Sequence, residues 1–471
     1  MFLSIITILN LAALSLGLAS STPVAWVACL LLWLNLFIYA VRDLGNRVYL
    51  AAFLIAFFIF LMGRQTLIWL FEYRVVELNT ELASHLSLTI FLGLAGVALG
   101  FILTRNFRPV SHKHKEVDSA VSLRLGLQSA SLLAFWISLP FSAFSVLSKV
   151  IHVLSSGYTN LYSETYRSAS AAGASVFFDQ FALVNNVALC VFLASLPSKK
   201  NAIWPISAWT GILVLSLGSG QRGGFITGVL FIICYFASRH FMDRSEVWIS
   251  RRMVVYGAIS IPVVLFVLIA IEMVRGVAGE YGKGVGIVFL DFLYNQGVSS
   301  TVITNGYLYA PAMPDQTYLA EFTHSGVLGR FLFDEVAQGN SIERALYGGS
   351  YTHTLAYLVL GENMYLSGRG TGSSFLAEGY ADFGYLGVLF IGFIYGMLIR
   401  SVGRLQGSHV LLASLALLAV QDVLWAPRGS ATGFLMTILA PSTLLALAAI
   451  WVLGLAFASR SRAKSRDTLT L

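Results

Sequence analysis

Residues 86–103 read LSLTIFLGLAGVALGFIL, a run without a charged side chain that is long enough to cross the hydrocarbon core of a bilayer as a helix. Similar runs recur along the whole chain, which is 57% hydrophobic and only 11% charged. A soluble protein carries roughly 25% charged residues. The sequence therefore predicts an all-α, polytopic membrane helix bundle with about twelve transmembrane helices.

The predicted spans lie near residues 2–19, 23–41, 48–71, 86–103, 125–147, 176–196, 203–217, 225–237, 253–274, 380–399, 410–425 and 433–457. No Lys or Arg precedes the first run, so we expect a retained helix and not a signal peptide. The predicted organisation is helices one to nine over residues 1–274, a large outer loop over 275–379, helices ten to twelve over 380–458, and a basic cytoplasmic tail over 459–471.

Lys and Arg set the predicted orientation, because the cytoplasmic loops of membrane proteins are enriched in both. With both termini inside, most of the 30 basic residues fall in inner segments. The net charge of +7 is then a consequence of orientation, and nucleic acid is not an expected partner. The three cysteines lie in apolar runs and predict neither a disulfide nor a metal site.

The remaining basic residues lie on or near the outer face, where the orientation rule gives no reason for them. They are Arg64, Arg74, Lys149, Arg167, Arg222, Arg275, Lys283, Arg330, Arg344, Arg369 and Arg428. Arginine predominates among them, and its planar fork binds phosphate through two hydrogen bonds. This excess predicts an anion site at the outer face.

Arg222 lies in Gly218-Ser219-Gly220-Gln221-Arg222-Gly223-Gly224, which joins two short predicted spans. A helix from Arg222 to Arg239 is about 26 Å long, slightly less than the hydrocarbon core of about 30 Å. A charge at that depth is a functional-site hypothesis, and the glycines allow close approach of an anion. Helix packing is the alternative, because glycines recur every four residues from Gly220 to Gly228.

Two more turns each present one arginine to the outer side. Arg275 ends the ninth predicted span and Arg428 lies in the turn between the last two. The alternative at both positions is an ion pair within the helix, of Arg275 with Glu272 and of Arg428 with Asp422. Together with Arg222, the two arginines are predicted to enclose a doubly charged phosphate group.

A fourth cluster is Gly368-Arg369-Gly370-Thr371-Gly372-Ser373-Ser374, which leads into the tenth predicted helix from outside. Its composition is typical of a phosphate-binding loop, but the lysine of a nucleotide-binding P-loop is missing. Glu378 and Asp382 follow four residues apart and share one helical face, although a polar helix start is the simpler interpretation. His324 and His353 are candidate bases in the long loop, where histidines are more often merely solvated. No residue spacing predicts a metal site.

These residues resemble a known family. The run GTGSSFLAEGYADFGYLG, residues 370–387, resembles the signature of Wzy-type polymerases, which assemble O-antigen or related polysaccharides from oligosaccharide repeat units. Residues 219–223 resemble their Ser-Arg-Gly turn with one residue inserted before the arginine, and residues 427–430 resemble their late Pro-Arg turn. The spacing of Arg275 and Gly286 is similar to the Arg-x10-Gly pattern of some members.

The resemblance implies a GT-C-like helix bundle, with a large outer loop between the ninth and tenth helices, in the bacterial inner membrane. It implies a metal-independent, inverting glycosyltransferase without a cofactor. The implied partners are the bilayer, an undecaprenyl-diphosphate-linked oligosaccharide donor and acceptor, and a chain-length regulator protein. The implied pyrophosphate ligands are Arg222, Arg275, Arg428 and Arg369; the candidate bases are Glu378, His353 and His324; the candidate sugar-binding residues are Tyr351, Tyr365 and Tyr380.

Three alternatives stay open. An O-antigen ligase uses the same donor and fold but transfers to lipid A core. A glycosyltransferase that uses monosaccharide-phosphate lipids often has its acid in the first outer loop, where Glu72, Glu77 and Glu81 lie. A flippase or exporter of lipid-linked sugar predicts internal repeats, and the sequence shows none.

Overall fold

The computed structural model of the protein describes residues 22–74, 76, 78–104, 118–163, 166, 174–220, 222–243, 245–257, 259, 266, 285–324, 326–332, 339–405 and 409–467. Within these ranges the chain is helical, apart from one isolated β-bridge between Ser163 and Asn340. The α-helices are α1 (Thr22–Val41), α2 (Leu44–Phe57), α3 (Gly63–Phe71), α4 (Thr80–Leu103), α5 (Asp118–Ser156), α6 (Ala174–Ala194), α7 (Lys199–Ser216), α8 (Arg222–Met242), α9 (Val285–Gln296), α10 (Ser299–Tyr309), α11 (Gly326–Leu332), α12 (Ile342–Tyr347), α13 (Tyr351–Leu360), α14 (Glu362–Leu366), α15 (Phe375–Leu405), α16 (Val410–Trp425), α17 (Gly433–Leu439) and α18 (Pro441–Asp467).

In the part of the chain that the structure describes, nine helical segments are long and apolar enough to cross a bilayer. They are Val24–Val41, Leu44–Phe71, Thr80–Leu103, Val121–Ser156, Lys199–Ser219, Arg222–Met242, Phe375–Leu405, Val410–Arg428 and Pro441–Arg460. A shorter apolar helix covers Phe178–Ala194. The predicted polytopic helix bundle is confirmed. The predicted span 2–19 and most of 253–274 lie outside the described residues, and the predicted last span is divided between α17 and α18.

The helices α4 and α15 pack closely against each other in the bundle. Glycines of α4 and α15 face each other, so that a Cβ at Gly96 would meet the Leu389 carbonyl oxygen and one at Gly396 would meet the Val97 carbonyl oxygen. Small residues let helix backbones approach within van der Waals contact, which is how helices associate without a hydrophobic driving force between them. This contact fixes α15, which carries much of the candidate site.

The helix α15 reverses direction inside its own length. Phe375 and Tyr395 would be about 30 Å apart in a straight helix, yet their ring centroids lie 4.6 Å apart. The reversal is at Phe383 (φ −137°, ψ 19°) and Gly384 (φ 58°, ψ −148°). The backbone conformation of Gly384 is strained for any residue with a Cβ. Residues 375–382 therefore form a short inner helix that folds back against residues 385–405.

This reversal changes the predicted boundaries of the tenth span. We predicted a helix over residues 380–399, preceded by outer loop. The structure instead starts the helix at Phe375, and the spanning part begins after Gly384. Phe375 packs among Phe53, Phe57 and Tyr395 with ring centroids 4.6–6.3 Å apart, so the inner helix starts inside the bundle and not at its surface.

Candidate functional site

The turn after α16 carries Arg428, and we call residues 425–431 the late turn. Pro427 stands in a short 3-10 helix, Ala426–Arg428, which ends α16 because proline supplies no backbone N–H to continue it. The Arg428 guanidinium donates to the Gln296 backbone carbonyl (2.9 Å) and to its side-chain carbonyl (3.3 Å). It also lies 5.7 Å from the Phe60 ring and 5.9 Å from the Trp425 ring.

The turn that carries Arg222 adjoins the late turn. A 3-10 helix, Leu217–Ser219, ends in Gly220 (φ 77°), and α8 begins at Arg222. Gly223 packs on Trp425, since a Cβ there would lie 2.7 Å from Cη2 of the indole. The two turns therefore meet at the indole beside which Arg428 lies. The sequence predicts that Arg222 and Arg428 converge; the structure brings the turns that carry them together, and both residues are partly exposed.

The alternative interpretation of the glycines as packing residues fits Gly228. A Cβ at Gly228 would meet a methyl group of Leu213 on α7, as helix packing predicts. A Cβ at Gly224 would meet nothing within 4 Å among the described residues, and Gly224 is exposed. The described residues therefore leave room for a side chain at position 224.

Glu378 joins the glycine-rich loop to the late turn. Its side chain is fully buried, and its Oε1 accepts from Ser373 Oγ at 2.6 Å. Its Oε2 accepts from the Ala431 backbone N–H at 2.8 Å and from Ser430 Oγ at 3.3 Å. The Tyr395 hydroxyl donates to the Ala431 carbonyl at 2.8 Å. Glu378 therefore fixes both the inner end of the loop and the far end of the turn that carries Arg428.

Asp382 lies one helical turn beyond Glu378, as the spacing predicted, but it faces a different element. Its carboxylate accepts from the backbone N–H groups of Tyr318 (2.9 Å) and Leu319 (2.8 Å). These N–H groups begin the 3-10 helix Tyr318–His324, which lies between α10 and α15 in the sequence. Asp382 thus ties that segment to the C-terminal end of the inner helix.

Arg369 stands near the N-terminal end of the glycine-rich loop, opposite the end that Glu378 holds. Its side chain is exposed, with its guanidinium 3.8 Å from the Met364 sulfur. Its backbone carbonyl accepts from the Asn340 side-chain amide at 2.9 Å. These contacts belong to the 340–365 region, whereas Arg428 and Arg222 belong to the late turn. Arg275 lies outside the described residues.

The two candidate histidines have similar local arrangements. His353 Nδ1 lies 2.9 Å from the hydroxyl of Tyr365, which donates its proton to the Ser341 carbonyl (3.1 Å). His324 Nδ1 lies 3.2 Å from Thr323 Oγ1, which donates to the Ala320 carbonyl. In each case Nδ1 lies within hydrogen-bond distance of a hydroxyl group that also donates to a backbone carbonyl.

The three candidate sugar-binding tyrosines differ in exposure. Tyr351 is 1% exposed and Tyr365 is 0% exposed, so protein covers both rings in this conformation. Burial raises the pKa of the Tyr351 phenol, because the phenolate would be desolvated. Tyr380 is partly exposed and packs edge-on against His85, with ring centroids 4.5 Å apart. Tyr307 stacks on the same histidine at 4.3 Å, so Tyr380 belongs to a partly exposed aromatic group.

Arg64 is a site candidate that our sequence reasoning did not select. A Cβ at Gly297, next to Gln296, would lie 2.7 Å from the Arg64 backbone nitrogen. The Arg64 guanidinium lies 4.3 Å from the centre of the Tyr294 ring and donates to its hydroxyl at 3.1 Å. Arg64 and Arg428 therefore flank the same end of α9. A signal for Arg64 existed, because it is a lone charge inside an apolar span.

Neither a curated protein nor a solved structure matches this chain. The family model described as O-antigen polysaccharide polymerase Wzy, in contrast, matches residues 1–460. This match covers nearly the whole sequence, including both arginine turns, the glycine-rich loop and the inner helix. The chain therefore belongs to the O-antigen polysaccharide polymerase Wzy family, a family of polymerases in the membrane.

Proposed function

We propose that the protein polymerises undecaprenyl-diphosphate-linked oligosaccharide repeat units into O-antigen or a similar surface polysaccharide. Polymerisation would proceed by block glycosyl transfer at the outer face of the bacterial inner membrane, with both termini cytoplasmic. The observation that carries this proposal is the meeting of the Arg222 and Arg428 turns at Trp425. Two guanidinium groups on adjoining, partly exposed turns suit a diphosphate at the membrane interface.

In the proposed reaction a hydroxyl oxygen of the acceptor glycan attacks C1 of the donor sugar. The bond from C1 to the diphosphate oxygen breaks, and undecaprenyl diphosphate leaves with the electron pair. A single displacement of this kind inverts the configuration at C1. Arg222 and Arg428, with Arg275 and Arg369 as further ligands, would stabilise the charge that develops on the leaving group. Arginine would thereby take the place of a metal ion.

A base must accept the proton of the attacking hydroxyl. Glu378 already accepts three hydrogen bonds, which favours a role in positioning the late turn. Imidazole is the side chain most often used as a general base, and His353 is held beside the hydroxyl of the fully buried Tyr365. We therefore propose His353 as the first candidate for the base, His324 as the second and Glu378 as the third. Tyr380 is the proposed sugar-stacking residue, because Tyr351 and Tyr365 are covered.

Reconstitution tests this proposal. Full-length protein in liposomes, given the purified lipid-linked repeat unit and EDTA, should form a ladder of products without an energy source. A ligase would form no ladder in the absence of lipid A core, and a flippase would form none under any condition. His353→Ala should stop ladder formation while binding of farnesyl diphosphate persists. A ladder that requires an added divalent cation would refute the metal-independent mechanism. A chain-length regulator protein, when added, should restrict the products to a narrower range of chain lengths.

A further inference from the structure

Three arginines meet where the ends of several helices come together, and we call Arg47, Arg400 and Arg404 the arginine cluster. Arg47 lies near the start of α2, and the other two lie near the end of α15. A Cβ at Gly403 would lie 4.0 Å from the Asn46 carbonyl oxygen, so the end of α15 packs on the start of α2. The cluster is therefore built by tertiary packing between two distant parts of the chain.

Two aromatic rings hold the guanidinium groups of the cluster. The Arg47 guanidinium lies 3.7 Å from the centre of the Tyr39 ring of α1, and the Arg400 guanidinium lies 4.9 Å from the centre of the Phe101 ring of α4. The two rings are in edge-on contact, with centroids 6.5 Å apart. A cation–π contact positions a guanidinium group without using its N–H groups as donors.

The hydrogen bonds of the three arginines differ. Arg47 donates to the Tyr39 carbonyl at 2.6 Å and lies 3.6 Å from the Asp43 carboxylate. Arg404 donates to the backbone carbonyl that follows α4, also at 2.6 Å. The Nε of Arg400 is buried and has no hydrogen-bond partner among the described residues. Because a guanidinium group is always charged, this arrangement is suited to an anionic acceptor.

The cluster carries more positive charge than Asp43 neutralises. The charges of Arg47 and Arg404 both act on Arg400, and Asp43 is the carboxylate that acts on it. Three guanidinium groups against one carboxylate leave an excess of two positive charges, which repel one another. The orientation rule accounts for arginine at this face but not for three arginines at one point. The excess charge favours a bound anion.

The surroundings of the cluster favour a lipid phosphate over a free one. The side chains of Val41, Ile102 and Leu103, at the ends of α1 and α4, are apolar and exposed. Apolar surface next to arginine matches a molecule that joins a phosphate to acyl chains. The distribution of Lys and Arg predicts that this end of the bundle is cytoplasmic, where anionic lipids give the membrane surface a negative potential.

We infer that the arginine cluster binds the head group of an anionic glycerophospholipid in the cytoplasmic leaflet, with the fork of Arg400 on the phosphate. The inference does not depend on the proposed function. The part of α15 between Gly384 and Leu405 is about 30 Å long. The lipid site and the reversal that forms the inner helix therefore lie at opposite ends of this helix.

Native mass spectrometry of purified, delipidated full-length protein in detergent tests the inference. The probes are phosphatidylglycerol and phosphatidylcholine with the same acyl chains. Wild type should bind phosphatidylglycerol at least about fivefold more tightly than phosphatidylcholine. Arg400→Gln should weaken phosphatidylglycerol binding about five- to tenfold and leave phosphatidylcholine binding unchanged. Arg400→Lys should lie between wild type and Arg400→Gln, because lysine keeps the charge but not the fork.

The matched control is Arg251→Gln, which removes the same charge from an exposed arginine at the predicted cytoplasmic face. It should change phosphatidylglycerol affinity less than about twofold. Farnesyl diphosphate binding by Arg400→Gln should equal that of wild type, which reports an intact fold; if that variant is unstable, Arg400→Lys replaces it.

Three results would overturn the inference. One is equal affinity of wild type for the two lipids, and another is equal phosphatidylglycerol affinity of the Arg400 variants and Arg251→Gln. The third is displacement of phosphatidylglycerol from wild type by inorganic phosphate at constant ionic strength, which would indicate a site for a soluble phosphate compound.

Discussion

Arg428 and Arg369 occupy similar sequence contexts, Pro427-Arg428-Gly429 and Gly368-Arg369-Gly370, yet the fold uses them differently. Arg428 donates hydrogen bonds to Gln296 and lies beside Trp425, against which Gly223 of the Arg222 turn packs. Arg369 is exposed and lies against Met364. The comparison shows that the sequence context of these arginines does not determine their contacts; the residues that pack against each turn do. A guanidinium group that is held by several neighbours is preorganised for an anion. An exposed arginine side chain loses conformational entropy when the anion binds.

The largest effect is expected from Arg428→Ala. Loss of a charge-assisted hydrogen bond to the diphosphate costs about 1.5–3 kcal/mol, so ladder formation should fall about ten- to a hundredfold. The rate of Arg428→Lys should lie between those of wild type and Arg428→Ala, because lysine keeps the charge but not the planar fork. The measurement is the initial rate of ladder formation in liposomes. A rate within twofold of wild type for Arg428→Ala would abolish the contrast with Arg369.

Glu378→Gln should have the second-largest effect, about tenfold on ladder formation. Glutamine has one carbonyl oxygen for the donors that now share two carboxylate oxygens, so the late turn loses part of its anchor. If Glu378 positions Arg428, farnesyl diphosphate binding should weaken in parallel. If Glu378 is instead the base, the rate should fall far more and the binding should stay unchanged.

Gly223→Ala should reduce activity about fivefold, and Gly224→Ala is its matched control. The new Cβ at residue 223 would lie 2.7 Å from Trp425, whose ring is itself packed against Phe60 at 5.2 Å. Overpacking of this kind typically costs 1–3 kcal/mol. A Cβ at residue 224 meets nothing within 4 Å among the described residues. Gly223→Ala should have a lower unfolding temperature and a lower rate of ladder formation than Gly224→Ala. Equal values for the two variants would contradict the contact between the turns.

Arg369→Ala should have the smallest effect, less than about threefold on ladder formation. An exposed side chain of this kind contributes about 0–1 kcal/mol. Raising the salt concentration should weaken whatever contribution it makes, because exposed charges are screened. A loss as large as that of Arg428→Ala would show that Arg369 contributes as much as Arg428 and would remove the contrast.

The sequence predicts the bundle well because the apolar spans are long and continuous, and residues 86–103 form a helix as expected. The reversal at Gly384 is invisible to the same reasoning, since residues 380–399 read as a single largely apolar helix. The charge of Arg64 inside an apolar span is visible in the sequence, but its contact with Gly297 is not, because the two residues are far apart in the chain. Periodicity reports which side chains are apolar, but only tertiary packing shows which turns meet.

The reversal at Gly384 also has a consequence for biogenesis. Residues 375–382 are too few to cross the bilayer and carry two carboxylates, so a translocon has no reason to integrate them as a unit. Their polar groups become tolerable only after the partners at Ser430, Ala431, Tyr318 and Leu319 are present. We therefore expect this segment to be the last to settle during assembly, after α16 and its following turn have emerged from the ribosome.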